Sequence, residues 1–351
     1  MHSSLPIFGL GVLLVSSAVA ADPDPFSQPI ATVRVALIRD VDSMGKTIQS
    51  VFQAHYEGNI RVVRMPNGKF TAINTLGIED FLKGVIGHEM SPSCPIEALK
   101  AQAIAARSHA LFSAEDSLNG PYDLVANISQ AYRGADEKEL RVLQAVDSTR
   151  NEVITYKGAL VPAFFSESCG GHTASIQEAW SQGAEKDLRA FPMPPTVDCP
   201  ACAATEHFQW VTGLTHSDFT RKTKSWGSKI GELLNLEVLG RTPSGRVAQI
   251  KLVGTQGDEV MSAEKLRSLL GFNVLKSGLF EVEKTSNGIE FKGEGWGHGV
   301  GLCQFGAQQM AEHGATYKEI LAHYFPGSKI VSYKPAEGFA ALQKSKLTAE
   351  N

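Results

Sequence analysis

Among the acids of this chain, Glu89 is the one framed by a distinctive run of residues. It falls in the stretch 81–111, FLKGVIGHEMSPSCPIEALKAQAIAARSHAL, on a short Met-Ser-Pro-Ser-Cys-Pro connection between two helix-like segments. A carboxyl group can act as general acid near neutral pH if burial raises its pKa. The second segment presents Lys100 and Arg107, seven positions apart and so two turns, roughly 10 Å, along one helix edge. A cation touching Glu89 would lower its pKa and spoil the acid. Both cations are therefore expected to bind substrate acceptors; the plain alternative is a solvated helix edge.

A second group with chemical potential is Cys169, His172, Cys199 and Cys202, two close pairs separated by a turn-rich stretch. The paired spacings suit tetrahedral zinc. A disulfide among these cysteines and free thiols are the alternatives. Four protein ligands would make the metal a structural staple rather than a Lewis acid. Cys94 and Cys303 complete an odd set of five, so at least one cysteine lacks an intramolecular disulfide partner. These last two read as buried thiols, or as a disulfide across a cleft.

Other matches fail. His88-Glu89 begins an HExxH zinc-protease motif, but position 92 is Pro. The glycines of 293–306 do not complete GxGxxG, no serine is framed as GxSxG, and Lys69 lacks the rest of a phosphate loop. Nucleotide and serine-hydrolase chemistry are therefore poorly served. With 33 basic against 37 acidic residues and a formal charge of -4, no overall basic field draws the protein to nucleic acid.

The elements that must hold these residues can be read from patterning. Residues 60–65 and 69–74 form two strands around a Pro-Asn-Gly turn. A short helix is expected over 79–87 and a longer one from about Pro95 to Ser113, with Leu99, Ala103, Ala106 and Ala110 as one buried stripe. A helix over 137–149 and a hairpin at Lys157-Gly158 follow. The segment 209–285 reads as a β-rich insertion whose helix 262–270 ends at Gly271. Gly-rich 293–306 leads into two short helices.

The length of 351 residues and the 43% hydrophobic content suit one large or two modest domains with a real core. Residues 1–20 read as a signal peptide: an apolar run and then Ser-Ser-Ala-Val-Ala, with no basic residue before Arg34. Residues 21–31 read as a mobile leader and 335–351 as a flexible tail. No internal apolar run approaches the roughly 20 residues of a membrane span. The mature protein is expected to be exported to the periplasm or cell envelope, with no stable membrane span after cleavage.

Together, the block Gly84-Val-Ile-Gly-His-Glu-Met with Glu97-Ala-Leu-Lys-Ala-Gln-Ala-Ile-Ala-Ala-Arg107, then Ser129-Gln-Ala-Tyr-Arg-Gly134, Ser168-Cys-Gly-Gly-His-Thr173 and Trp296-Gly-His-Gly-Val-Gly-Leu-Cys-Gln-Phe-Gly-Ala307 resemble the stage II sporulation protein D family (SpoIID/LytB). The blocks occur in family order over roughly residues 75–330. The resemblance implies an α+β fold unlike lysozyme, essentially one catalytic domain (32–334). It also implies a lytic transglycosylase that cuts peptidoglycan glycan strands, preferably denuded of stem peptides, between N-acetylmuramic acid and N-acetylglucosamine. Glu89 falls on the family's catalytic glutamate; one carboxyl suffices there, because the muramic C6 hydroxyl attacks intramolecularly to give a 1,6-anhydro end. Lys100 and Arg107 fall on family cationic positions, and Gln130, Tyr132, Ser166, Trp296, His298 and Gln304 are expected to line the cleft. No cofactor is expected for catalysis. The rival readings are a non-catalytic stimulator of a cell-wall amidase and a zinc hydrolase built on the Cys/His cluster.

Overall fold

A computed structural model describes residues 31–333 except 44, 54–55, 118–119, 127–129, 137, 181–191, 205–207, 226 and 228. The expected signal peptide, nearly all of the leader, Ser129 of the third motif and the C-terminal tail lie outside the described residues. The fold is α+β, as expected. Strand β1 (Thr32–Val41) buries Val33, Val35 and Ala36, and helix α1 (Lys46–Gln53) follows it. Strands β2 (Asn59–Arg64) and β3 (Phe70–Gly77) make the expected hairpin, and β3 also pairs antiparallel with β1.

The single helix expected over 79–87 is two: α2 (Ile78–Lys83) and α3 (Ile86–Glu89). They part at Gly84, where a Cβ would lie 2.7 Å from the Tyr132 ring and 2.8 Å from the Gly134 carbonyl carbon. Only glycine lets the loop 130–134 approach this closely. The contact is fixed by the Arg133 N–H donating to the Gly84 carbonyl at 3.1 Å.

Helix α4 (Ile96–Asp116) starts after Pro95 and is buried on every side, not along one stripe. A helix rich in alanine and apolar all round belongs inside a core. Leu99, Ala103, Ala106 and Ala110 face one hydrophobic cluster with Phe81, Leu82 and Val85; Ala101, Ile104 and Ala105 face another with Leu302, Ala307 and Ile320. Two-residue β4 (Leu124–Val125) then joins β1 in parallel and completes the sheet β2-β3-β1-β4.

Arg107 corrects a further expectation. It does not face solvent or substrate: it is wholly buried and forked onto Glu79 of α2, with Nε–Oε1 at 3.0 Å and Nη2–Oε2 at 2.6 Å. Helix α5 (Leu140–Ser148) and strand β5 (Glu152–Tyr156) supply the remaining acceptors, the carbonyls of Val146 and Glu152. Its charge is spent on joining four elements.

Strand β5 pairs with short β6 (Ala159–Leu160), and the chain then passes through β7 (Phe165–Ser166) to α6 (Ile176–Ala179), capped by a Ser175–Glu178 capping box. A strand-rich segment follows: β8 (Gln209–Thr215), α7 (His216–Ser225), β9 (Leu233–Arg241), β10 (Val247–Gly254), β11 (Gly257–Ser262), α8 (Ala263–Leu270), β12 (Leu279–Lys284) and β13 (Gly288–Glu294). Its two three-stranded sheets, β11-β10-β9 and β12-β13-β8, enclose a core of their own that includes Trp210, Phe219, Ile250, Leu266 and Phe291. The chain returns through β14 (Leu302–Cys303), which lies parallel to β7, to α9 (Gln304–Glu312) and α10 (Tyr317–Tyr324). Strand β15 (Lys329–Ser332) closes antiparallel on β5.

The buried pair yields a prediction. Arg107→Met leaves the Glu79 carboxylate buried without its partner and should lower stability by about 3–5 kcal/mol. Urea unfolding of the single variant and of the Glu79→Leu/Arg107→Met double variant measures it. The double variant is expected to regain most of the loss; equal losses in both would show that the pair's charge balance is not what the core depends on.

Candidate active site

Glu89 ends α3 and opens onto a cavity of about 410 Å³ whose walls include Ser166, Glu167, Trp296, Gln304 and His88. Two features of the chain shape its environment. The loop that packs on Gly84 turns the Ala131 N–H toward Glu89, which accepts it on Oε1 at 2.6 Å. The start of α9 brings Gln304 to the same cavity, with its Nε2 3.5 Å from Gln102 Oε1 on α4.

Burial pushes the Glu89 pKa up, and the Ala131 and Gln304 hydrogen bonds partly oppose that rise. No cation contributes. Lys100 is engaged elsewhere, 2.8 Å from Glu97 and 5.6 Å from the centre of the Tyr317 ring. Arg107 is sealed in the core. The separation of Glu89 from both cations is thus present in the structure, but neither cation reaches the cavity, so neither is positioned to take a substrate anion there.

The facing wall is built by alternating main-chain bonds. Ser168 and Trp296 exchange N–H···O bonds at 3.0 and 2.8 Å, and β14 lies beside β7. This brings Ser166, Trp296 and Gln304 to the cavity with Glu89. The Ser166 hydroxyl is buried and has no hydrogen-bond partner among the described residues.

Three expected cleft residues lie elsewhere. Tyr132 is core: its ring packs on Phe81 and Tyr56, and its hydroxyl accepts from Asn74 at 3.2 Å. Gln130 is buried and donates to the Ala106 carbonyl at 3.0 Å. Their segment contributes to the site through the Ala131 main chain. His298 packs against Trp180 and Phe164, with ring centroids 4.9 and 5.9 Å away, and its Nδ1 accepts the Val300 N–H at 3.0 Å. Burial, aided by the charges of Arg267 and Arg246, pushes its pKa down to about 3. It is a neutral structural histidine outside the Glu89 cavity wall.

The cavity also has residues that were not expected to line it. Glu167 supplies a second carboxylate and His88 an exposed imidazole. Lys276 places its Nζ 4.3 Å from the centre of the Trp296 ring, inside the range for cation–π attraction. Glu167 directly follows Ser166, and strand alternation would point the two to opposite faces, so no local signal marked it; β7 ends at Ser166 and both line the cavity. Nothing local marks Lys276, which reaches the wall from the strand-rich segment.

The cysteine set differs from expectation in one member. The sulfurs of Cys169, Cys199, Cys202 and Cys303 converge, all buried. His172 stands apart, bonded through Nδ1 to Asp198 at 2.7 Å and through Nε2 to Thr196 at 3.3 Å. Cys94 is buried away from the cluster with its thiol 3.4 Å from Gln308.

Fold and site define an α+β protein with a half-buried acid facing a wall made from its own distant C-terminal block. Residues 66–156 match the family described as Stage II sporulation protein, and 198–301 match a domain family of unknown function. An uncharacterized protein of Brachyspira hyodysenteriae is 36% identical over 269 residues, covering 76% of this chain and 70% of that one. The amidase enhancer of Bacillus subtilis is 31% identical over 290 residues, 72% of this chain but 40% of its own length. Stage II sporulation protein D of Bacillus subtilis is 28% identical over 276 residues, covering 74% and 76% of the two chains. The chain belongs to the stage II sporulation protein D family.

The raised pKa of Glu89 carries a sign that can be tested. A carboxyl whose pKa is higher folded than unfolded favours the fold fully below its unfolded value, and that contribution is lost as pH rises through the folded value. Glu89→Gln keeps an acceptor for the Ala131 N–H and removes the partly desolvated charge. Thermal unfolding should therefore show it more stable than the parent at pH 7.5, with the advantage shrinking as pH falls through the raised folded value and gone below the unfolded value of about 4.3. A constant difference at all pH values would show that Glu89 has no raised pKa.

Proposed function

We propose that the protein is an exported lytic transglycosylase acting on peptidoglycan glycan strands, with Glu89 as its acid and base. The observation that carries this reading is the half-buried Glu89 carboxyl, raised in pKa and free of cationic neighbours, at a cavity large enough for sugar. Membership in the stage II sporulation protein D family supports a cell-wall substrate. Among the described residues no helix is long and apolar enough to cross a membrane.

In this mechanism the protonated Glu89 gives its proton to the glycosidic oxygen between muramic acid and glucosamine as the C1–O bond breaks. The same carboxylate then takes the proton of the muramic C6 hydroxyl, whose oxygen closes on C1. The proton returns to Glu89, no water is consumed, and the product carries a 1,6-anhydro ring. The Ala131 N–H and Gln304 amide hold the carboxyl in place and steady its ionised form between the two transfers. Trp296 offers a ring face for a sugar, and Ser166 a hydroxyl. Lys276, with its Nζ 4.3 Å from the centre of the Trp296 ring, is a cation beside that wall for an exposed lactyl carboxylate.

A second reading follows from the name of one relative: a stimulator of a cell-wall amidase that binds glycan without cutting it. Glu167 also raises a hydrolytic version, in which two carboxyls share the work and water is the nucleophile.

Mass spectrometry of intact and amidase-treated peptidoglycan after incubation with purified protein separates the three. Anhydro ends are expected, more from the denuded strands. Glu89→Gln should reduce their release by at least about a hundredfold while glycan binding persists. Glu167→Gln should still give anhydro ends. Hydrated reducing ends would mean hydrolysis, and no cleavage with enhanced amidase turnover would mean stimulation. The rate should also fall as pH rises through the raised Glu89 pKa, because the general acid is then lost.

A further inference from the structure

The four converging cysteines serve no step of the reaction described above. Their sulfurs all lie within 4.8 Å of one another and are buried, and those of Cys169 and Cys202 are 3.7 Å apart. A tetrahedral ion with metal–sulfur bonds of about 2.3 Å sets its ligands about 3.8 Å from each other. A disulfide engages two sulfurs at about 2.05 Å, and it gives no reason for four to meet at one point.

The surroundings fit bound thiolates. Cys303 Sγ accepts the N–H of Cys169 at 3.3 Å and of Gly306 at 3.4 Å, Cys202 Sγ accepts the Gly171 N–H at 3.3 Å, and the Tyr324 hydroxyl lies 3.0 Å from Cys199 Sγ. Such donors orient sulfur ligands and spread their charge. A Cβ on residue 306 would come within 2.6 Å of Cys199 Sγ, so the α9 backbone is drawn against the cluster as closely as glycine allows.

Charge balance points the same way. Arg246 is buried, donating to the carbonyls of Cys169 at 2.7 Å and His172 at 3.2 Å, and forms no ion pair with a carboxylate among the described residues. Four thiolates around a divalent ion leave two formal negative charges, a counter-charge for that guanidinium. An all-sulfur tetrahedral donor set selects a soft or borderline ion, and four protein ligands leave no position for reactive water.

We propose that Cys169, Cys199, Cys202 and Cys303 bind one zinc ion as a closed structural tetrathiolate. Binding releases the thiol protons to solvent. The ion ties the Ser168–Thr173 segment and the short turn Pro200–Ala204 to Cys303, the N-cap of α9. Gln304 follows Cys303 directly, so the site sets the residue that reaches Glu89. The proposal does not rest on the glycan-cleavage reading, because metal content and thiol state are measured without substrate.

The test uses the full chain purified without chelator. Elemental analysis should find one zinc per chain, and replacement by cobalt(II) should give the intense visible bands of tetrahedral thiolate coordination. Alkylation in denaturant with chelator and no reductant should modify five cysteines. One modified cysteine and no metal would overturn the proposal in favour of two disulfides; five modified cysteines with no uptake of added zinc, or one iron per chain, would overturn it as well. His172→Ala should keep stoichiometric zinc, and its loss would overturn the ligand set. Cys303→Ser should weaken zinc at least tenfold; if that variant does not fold, the cobalt spectrum and thiol count of the parent decide.

Discussion

One charged contact organises the interior: the Arg107 guanidinium forked onto Glu79 in the middle of an alanine-rich helix. Without a paired acid this cation could not be buried, and without burial α4 could not run through the molecule with both of its faces packed. Glu79 also accepts the Asn151 N–H at 3.2 Å, so the pair reaches from α2 to the start of β5. Glu89 hangs from this frame through α3, one short helix after α2. Its position is inherited from a charge pair that never meets solvent.

The same contact accounts for the electrostatics of the cavity. An acid that must keep its proton needs low polarity and distance from cations. Helix α4 could have supplied two cations to the neighbourhood, yet one is consumed in the core and the other is tied to Glu97 at its surface. Burial is left as the dominant influence on Glu89, moderated by two hydrogen bonds. Those bonds suit the ionised form and so oppose part of the rise.

The motifs around Glu89 and Trp296 were legible because they are long and their glycines are informative. The hairpin at 66–68 and the capped helix ending before Gly271 followed from local rules of turn and cap chemistry. What sequence reading could not supply was the direction of side chains set by distant partners. Arg107 and Lys100 share a helix edge by spacing, but only the placement of Glu79 and Glu97 decides where each charge goes. Tyr132 and Gln130 sit in the right motif, though the site takes only the main chain between them. His172 had a ligand's spacing to Cys169, whereas Cys303 had none; the parallel pairing of β14 with β7, invisible locally, carries Cys303 to the cluster.

That pairing has a consequence for how the protein is made. One wall of the cavity comes from the first third of the chain and the other from its last quarter, joined by strands of two residues. Contacts between such distant segments form late in folding. A nascent or truncated chain ending before β14 would carry Glu89 without the Gln304 wall that shelters it, as a solvated glutamate with an ordinary affinity for protons. The surroundings of Glu89 are thus complete only when segments more than two hundred residues apart in the chain have met.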